Sequence, residues 1–381
     1  MRHPGLLMLV GLAACRVPDA RSPSAPDPAQ GEVWLEAAAE DWRASLVVDN
    51  GETGVWTVKP VQLFPQYATP EVVALDDRGR CLISVSYSGK WTTTATLEDG
   101  KWLGGLAHAD VDPRLDGAEL YVGGQKGNLY QIVAYRHGVL DQRLIAHLPG
   151  REIHTILAGE LDASNAGPEL LVFTRPGGLF RITPTGPDGR FETVHIEDLE
   201  GRVRDALVLP AQQGRAPEVA TVSRAGRVQL LSMGAKGPTW SLVHEAPMGK
   251  GRLTLAPARP ERDTVLYTTQ DDGLVLRHER TAHGSWNTET VHVGPQGPRG
   301  LAAGRFHADP ELESLALFGY SREVVLLTRR DGGWESETLF VDRDKGHWLS
   351  VAELDGRNET DEILLSGYGA RVVLLARLPG D

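Results

Sequence analysis

One unit of about fifty residues recurs along this chain, and its recurrence restricts the fold more than any other feature of the sequence. The stretch His154 to Gly201 carries it most fully. Ile156 to Glu160 is a short apolar segment followed by an acidic loop with Asn165 and Gly167. Glu169 to Thr174 is a continuous apolar run between Pro168 and Pro176, and Leu179 to Thr183 alternates. A Gly186-Pro-Asp-Gly189 turn then leads into Phe191 to Ile196, which alternates again. Each segment has the length of a strand in a small antiparallel sheet, about 5–8 residues. No helix-period segment intervenes.

The copies are set by their second strands, which open at Pro70, Ala118, Pro168, Pro217, Asp263, Glu313 and Asp361, at intervals of 48, 50, 49, 46, 50 and 48 residues. A second marker is independent of the first. An aromatic opens the fourth strand at Trp42, Trp91, Phe191, Trp240, Trp286 and Trp334, and only the copy near Val139 lacks it. Four short strands at this period predict a β-propeller, whose sheets bury their faces against neighbouring blades. Counting fixes the closure. The seventh copy stops at its third strand, Arg371 to Arg377, while Trp42 to Asp49 aligns with Trp334 to Val341. The expectation is an all-β, seven-bladed propeller of four-stranded antiparallel blades over 32–381. An N-terminal strand at about 42–49 joins the last blade and removes the open edge. Residues Glu32 to Glu40 are left unassigned between a short helix and an extra strand.

The N-terminus reads differently. Met1 to Cys15 has a basic start, an apolar run too short to span a bilayer, and small residues before the cysteine. Leu12-Ala13-Ala14-Cys15 resembles the lipobox of bacterial lipoproteins. The resemblance implies that 1–14 is a signal peptide, that Cys15 is acylated, and, with Arg16 rather than Asp next, that the protein is exported to the outer membrane. An ordinary secretory signal is the plainer alternative. Residues 15–31 are rich in Pro, Ser and Ala without apolar period, as a flexible tether requires. If Cys15 carries lipid, Cys81 has no partner, because the chain has 2 cysteines. A net charge of −12 argues against non-specific nucleic-acid binding. The partners expected are the membrane, through the lipid, and a protein or glycan of the envelope.

Chemistry can sit in two places. The first is the loop after each first strand: Asp110-Val-Asp112 to Asp116-Gly117 in blade 2, Glu160-Leu-Asp162 in blade 3, Asp309-Pro-Glu311 in blade 6, and Asp355-Gly356-Arg-Asn358 to Asp361 in blade 7. With the phrases Glu-Leu-Asp and Pro-Glu-Leu-Leu-Val, these resemble the FG-GAP and VCBS repeats of integrin-like propellers, whose loops bind calcium through oxygen ligands. The resemblance makes calcium the one cofactor to consider, with Asp110, Asp112, Asp116, Glu160, Asp162, Asp355, Asn358 and Asp361 as its ligands. No loop carries the full acidic set of that family, and blades 1, 4 and 5 carry none of it. The alternative is that Asp and Asn cap tight turns.

The second place is the connection that delivers the chain to each innermost strand. Glycine or proline there is followed by a basic or aromatic residue: Trp56, Trp102, Arg151 with His154, Arg202 with Arg204, Arg252, Arg299, and His347 with Trp348. If these converge, the channel mouth is a basic ring with tryptophans between the charges, suited to an acidic sugar, a peptide carboxylate or a phosphate. The alternative is that the glycines serve the turns and the basic side chains reach solvent. Gly-x-Ser-x-Gly, His-Glu-x-x-His, P-loop and zinc-type cysteine motifs are absent from the sequence. The function expected is that of a non-enzymatic envelope lipoprotein, a binding or scaffold propeller for a protein or glycan partner. The contrasting expectation is a polysaccharide lyase or hydrolase, with His154 or His347 as base and Arg151, Arg202 or Arg299 neutralising a uronate.

Overall fold

The computed structural model describes residues 34–35, 39–51, 53–87, 89–135, 140–186, 188–210, 217–257, 264–354, 356 and 359–378. The segments expected to be signal peptide and tether, with Cys15, and Asp355 and Asn358 of the last acidic loop lie outside them.

Each repeat folds into a four-stranded antiparallel meander, and seven such sheets form a seven-bladed propeller. Blade 3 is typical, with strands Glu152–Gly159, Glu169–Arg175, Gly178–Thr185 and Arg190–Asp198 hydrogen-bonded in sequence order. The last blade closes as the repeat count requires. Trp42–Asp49 pairs antiparallel with Arg371–Arg377, Trp42 opposite Arg377 and Asp49 opposite Arg371. Trp34–Leu35 adds a short fifth strand outside it, paired with Ser45 and Ala44.

Burial follows strand position. The second strands Glu71–Asp76, Glu119–Gly124, Val265–Gln270, Ser314–Gly319 and Glu362–Gly367 are buried along their whole length, because both faces of a middle strand meet another blade. The fourth strands of blades 1, 3, 5 and 6 are mostly exposed, whereas that of blade 7, Trp42–Asp49, is mostly buried. The core is divided into seven apolar clusters, and each is one interface between adjacent blades.

The aromatic marker belongs to these interfaces. Trp42 is part of the blade 6/7 cluster, while Trp91, Phe191, Trp240, Trp286 and Trp334 pack on the clusters shared with the preceding blade. In blade 2, which lacks the aromatic, Leu140 takes that place against the blade 1/2 cluster. Cys81 is buried in the same cluster, and burial pushes its thiol up to about 12, so it is an inert apolar group.

The Glu that opens several second strands is also structural. The carboxylates of Glu71, Glu119, Glu169 and Glu362 are buried and accept backbone N–H groups of the preceding loop: Leu63 and Phe64, Val111 and Asp112, Leu161 and Asp162, and Leu354. A loop that turns inward leaves such donors without water, and a repeated carboxylate satisfies them.

Candidate functional site

The innermost strands share a defect that creates the site. Each has a β-bulge in its first turn of pairing, leaving Trp56, Gly104, His154, Arg204, Arg299 and His347 without a partner across the ladder; blade 5 skips Gly251 and Arg252. A bulge re-aims the extra residue out of the pleat. At one end of the central channel the seven defects surround a cavity of about 420 Å³.

Trp56, Trp102, His154, Arg202, Arg204, Arg252, Arg299, His347 and Trp348 line this cavity. Arg151 does not. Its guanidinium turns within blade 3, donating to the carbonyl of Pro176 at 3.2 Å and to Asp198 at 3.0 Å. Sequence reasoning missed Arg175, Arg224, Tyr320 and Tyr368, which also line the cavity. All four stand seven residues past the opening of their second strand, in the turn to the third. That shared offset is the signal in the sequence that marks them.

The lining is divided in two. Blades 3 to 6 supply Arg175, Arg202, Arg204, Arg224 and Arg299; blades 6, 7, 1 and 2 supply Tyr320, Tyr368, His347, Trp348, Trp56 and Trp102. On the basic side, Asp271 pairs with both Arg204 and Arg299, and Glu152 meets Arg175 at 3.4 Å. Burial alone would raise the Asp271 carboxyl, but the two arginines hold it below the usual range. Among the described residues, no side chain pairs with the guanidinium of Arg202 or Arg224, and Arg202 Nε is buried without an acceptor. Burial, with Arg204, Arg175, Arg224 and Arg299 nearby, lowers Arg202 to about 10.

On the aromatic side, Trp56 packs edge-on against His347 at 4.4 Å and Tyr368 at 5.2 Å, and its indole N–H bonds to Asp77. Trp102 lies 4.7 Å from the His154 ring. Gly104 has to lack a side chain here, because a Cβ would come within 2.8 Å of the Trp102 ring. Both histidines are neutral. Burial and the surrounding arginines pull His154 down to about 3 and His347 well below its ordinary value. His347 Nδ1 donates to the carbonyl of Trp56 at 2.9 Å.

Arg252 forms the floor. Its guanidinium lies 4.1 Å above the Trp348 ring. From blade 5 it donates to the carbonyls of Arg299 in blade 6 (2.7 Å), Arg204 in blade 4 (2.9 Å) and His347 in blade 7 (3.1 Å). With these donors spent on backbone, Arg252 is a rivet across the channel more than a ligand contact. Beyond it lies a second cavity of about 280 Å³ that contains Lys59 and Asp205.

The acidic loops have a different occupation. Asp112 is buried between Arg114 and Arg143, Nη2 of the latter at 2.6 Å. Asp162 pairs with Arg181 and accepts from the Ser164 hydroxyl at 2.6 Å. Asp361 accepts the backbone N–H of Arg305 at 2.7 Å, clamping blade 7 to blade 6. Asp110, Asp116 and Glu160 are exposed. Among the described residues no group of three His, Cys, Asp or Glu is placed to hold a metal. A calcium ion needs about six to eight oxygens and no competing cation, and aspartates already facing guanidinium groups do not fit it.

The fold and its pocket therefore define a seven-bladed β-propeller with a basic and aromatic mouth at one end of the channel. No protein-family model matches the sequence, and the search of curated proteins found no match either. Solved structures match the fold: a YCF48 propeller bound to D1 peptide, with 12% identity, 92% of this chain and 98% of that chain covered, and a TM-score of 0.58. BBS1N in complex with ARL6DN matches with 12% identity, 91% and 97% coverage, and a TM-score of 0.56. The Cps50 (Swd1) propeller of Myceliophteria thermophila matches with 10% identity, 87% and 99% coverage, and a TM-score of 0.56. At such identities the likeness is one of fold, and function has to be argued from the pocket.

Proposed function

We propose that this protein is a binding propeller of the bacterial envelope, tethered by lipid on Cys15, that recognises an anionic group presented by a protein or glycan partner. One observation carries the reading: Arg202 and Arg224 face a walled pocket with no carboxylate partner among the described residues, in a protein whose net charge is −12. Holding unpaired guanidinium groups together in a half-buried cleft costs free energy in the free protein, and an anion with two or more oxygens offsets that cost. Two structural neighbours are propellers solved with a partner, the YCF48 propeller with a peptide and BBS1N with ARL6DN, which supports a protein partner here. Lyase or hydrolase chemistry has less support. A general base works best near the operating pH, and His154, at about 3, is far below it.

Thermal unfolding of the protein with a panel of anionic peptides and acidic oligosaccharides tests the proposal. A ligand that binds only the folded state raises the midpoint by mass action. The expected result is a rise with at least one anion, abolished in Arg202→Ala/Arg224→Ala; no Arg-dependent rise with any anion, or turnover of an acidic glycan, would sink it. The tether is checked by labelling cells with radioactive palmitate. The wild type should take up label and Cys15→Ala should not.

A further inference from the structure

The pocket is not only basic; it is one-sided, acceptor-poor and closed at the bottom, and together these properties select a kind of ligand. Guanidinium groups donate only, five N–H each, and they dominate one wall. The acceptors near them are already used: Asp271 by Arg204 and Arg299, Asp77 by Trp56, and Glu152 by Arg175. A neutral sugar, whose every hydroxyl is a donor as well as an acceptor, would leave donors unanswered there. A ligand rich in acceptors and poor in donors would not.

The other wall asks for something flat or apolar. Trp56, Trp102 and Tyr368 come from the blades opposite those that carry the arginines, and the Trp348 ring lies under Arg252. The ligand therefore carries its charge at one end and an apolar body beside it. Arg252, bonded to three blades and lying on Trp348, blocks the channel below, so an extended chain cannot thread through. A chain end fits such a blind pocket without a turn of the backbone. An amino terminus would bring a positive charge among arginines, whereas a carboxyl terminus brings two carboxylate oxygens and the preceding carbonyl. Partly exposed Tyr320, Tyr368 and Met248, all at the end of the molecule where the second strands finish and the blades connect, offer apolar surface to the chain leading in.

We propose, resting on the anion-binding reading above, that the pocket captures the free C-terminus of a polypeptide whose last residue is aromatic. The carboxylate sits on Arg202 with Arg175 and Arg224, and the aromatic side chain lies against Trp102 and Trp56. Recognition of a chain end of this kind combines a charge-assisted fork with an apolar socket.

The test uses the full-length protein and fluorescence anisotropy of four octapeptides labelled at the amino end. They share one sequence and end in Phe with a free carboxylate, in Phe amide, in Gly with a free carboxylate, or in Gly amide. The Phe acid should bind at least tenfold more tightly than the Phe amide and at least tenfold more tightly than the Gly acid. Arg202→Ala should bring acid and amide within about twofold, and Trp102→Ala should erase the preference for Phe while keeping that for the acid. Comparison of the four peptides on the unaltered protein decides the matter even if a variant folds poorly. Equal binding of the Phe acid and the Phe amide overturns the inference. If the peptides fail but inorganic phosphate or an oligouronate protects the protein against heat in an Arg202-dependent way, the chain-end inference falls and the basic pocket stands. If no anion at all depends on Arg202, both fall.

Discussion

Arg252 illustrates how a single side chain can hold a ring together. It is nearly buried, and burial lowers it to about 10 despite the partial compensation of Asp205. It remains charged and spends that charge on three carbonyls from three blades. Each buried carbonyl left unsatisfied costs about 1–3 kcal/mol. Arg252→Ala should therefore lower the unfolding free energy by at least about 3 kcal/mol in urea titration, and Arg252→Lys should recover less than half, because an ammonium cannot fork. His278 gives a pH signature. It is fully buried between the hydroxyls of Thr268 and Thr288, at 2.9 and 2.8 Å, and burial followed by His244 and Lys250 lowers it to about 3. Between pH 6.5 and 3 the unfolded chain binds this proton and the folded chain does not. Stability is thus full above pH 6.5 and falls on acidification, by up to about 1.4 kcal/mol per pH unit. Buried Glu71, Glu119 and Glu169, raised chiefly by desolvation, act in the opposite sense. The difference between the wild type and His278→Gln isolates the histidine: the gap between the urea midpoints at pH 7 and pH 5 should narrow in the variant, while His154 and His347, also lowered by burial, keep part of it.

At the scale of the element, the aromatic residue gives the fourth strand much of its hold on the neighbouring blade. In blades 1, 3, 5 and 6 most positions of this strand face solvent, but the aromatic near its start reaches over the preceding interface. Truncating a half-buried indole should cost about 2–3 kcal/mol, at the lower end of large-to-small core changes. Trp286→Ala and Trp334→Ala should each lower the unfolding free energy in urea titration by this much, and Trp42→Ala by more, since Trp42 is buried and sits on the closing strand. The acidic loops are elements of packing as well. Asp112 with Arg143, and Asp162 with Arg181, join loop to strand through pairs in which the aspartate is buried and the arginine partly exposed, and Arg114 braces Asp112 within the loop. Asp112→Ala should accordingly destabilise the protein in EDTA as much as in millimolar calcium; destabilisation seen only with calcium present would instead make the loop a metal site.

At the scale of the whole molecule, stability is a property of closure. Every apolar cluster is shared by two blades, so no blade is complete alone, and blade 7 exists only when residues 42–49 reach back across the ring. Replacing Ala44, which is fully buried in the blade 6/7 cluster, by Asp places an unpaired charge there. Calorimetry should then show loss of the single cooperative transition together with a lower midpoint. Binding elsewhere on the ring should remain coupled to closure: a pocket ligand touches blades on both sides of the seam and should partly restore the Ala44→Asp midpoint.

The fold was legible because repetition and alternation are local properties. A 48-residue period, a continuous apolar run in each second strand and an aromatic at the fourth fix the number of blades and which strand is missing, and covalent order decides that the N-terminal strand must supply it. The mouth was half legible for the same reason. His154 and His347 occupy equivalent places in the repeat, so their convergence follows from the ring. Other features depend on distances that no spacing contains. Arg151 and Arg202 look alike in sequence, yet one turns along its blade to Asp198 and the other into the cavity. Arg175 and Tyr320 belong to a hairpin turn that reads as punctuation until seven such turns surround one axis. Aspartates that look like cation ligands are claimed by arginines from neighbouring strands, and Arg252 becomes a rivet only because three carbonyls lie within reach of one guanidinium. The sequence by itself determines what each repeat must bury; the tertiary structure decides which charges meet, because the ring brings together side chains more than 200 residues apart.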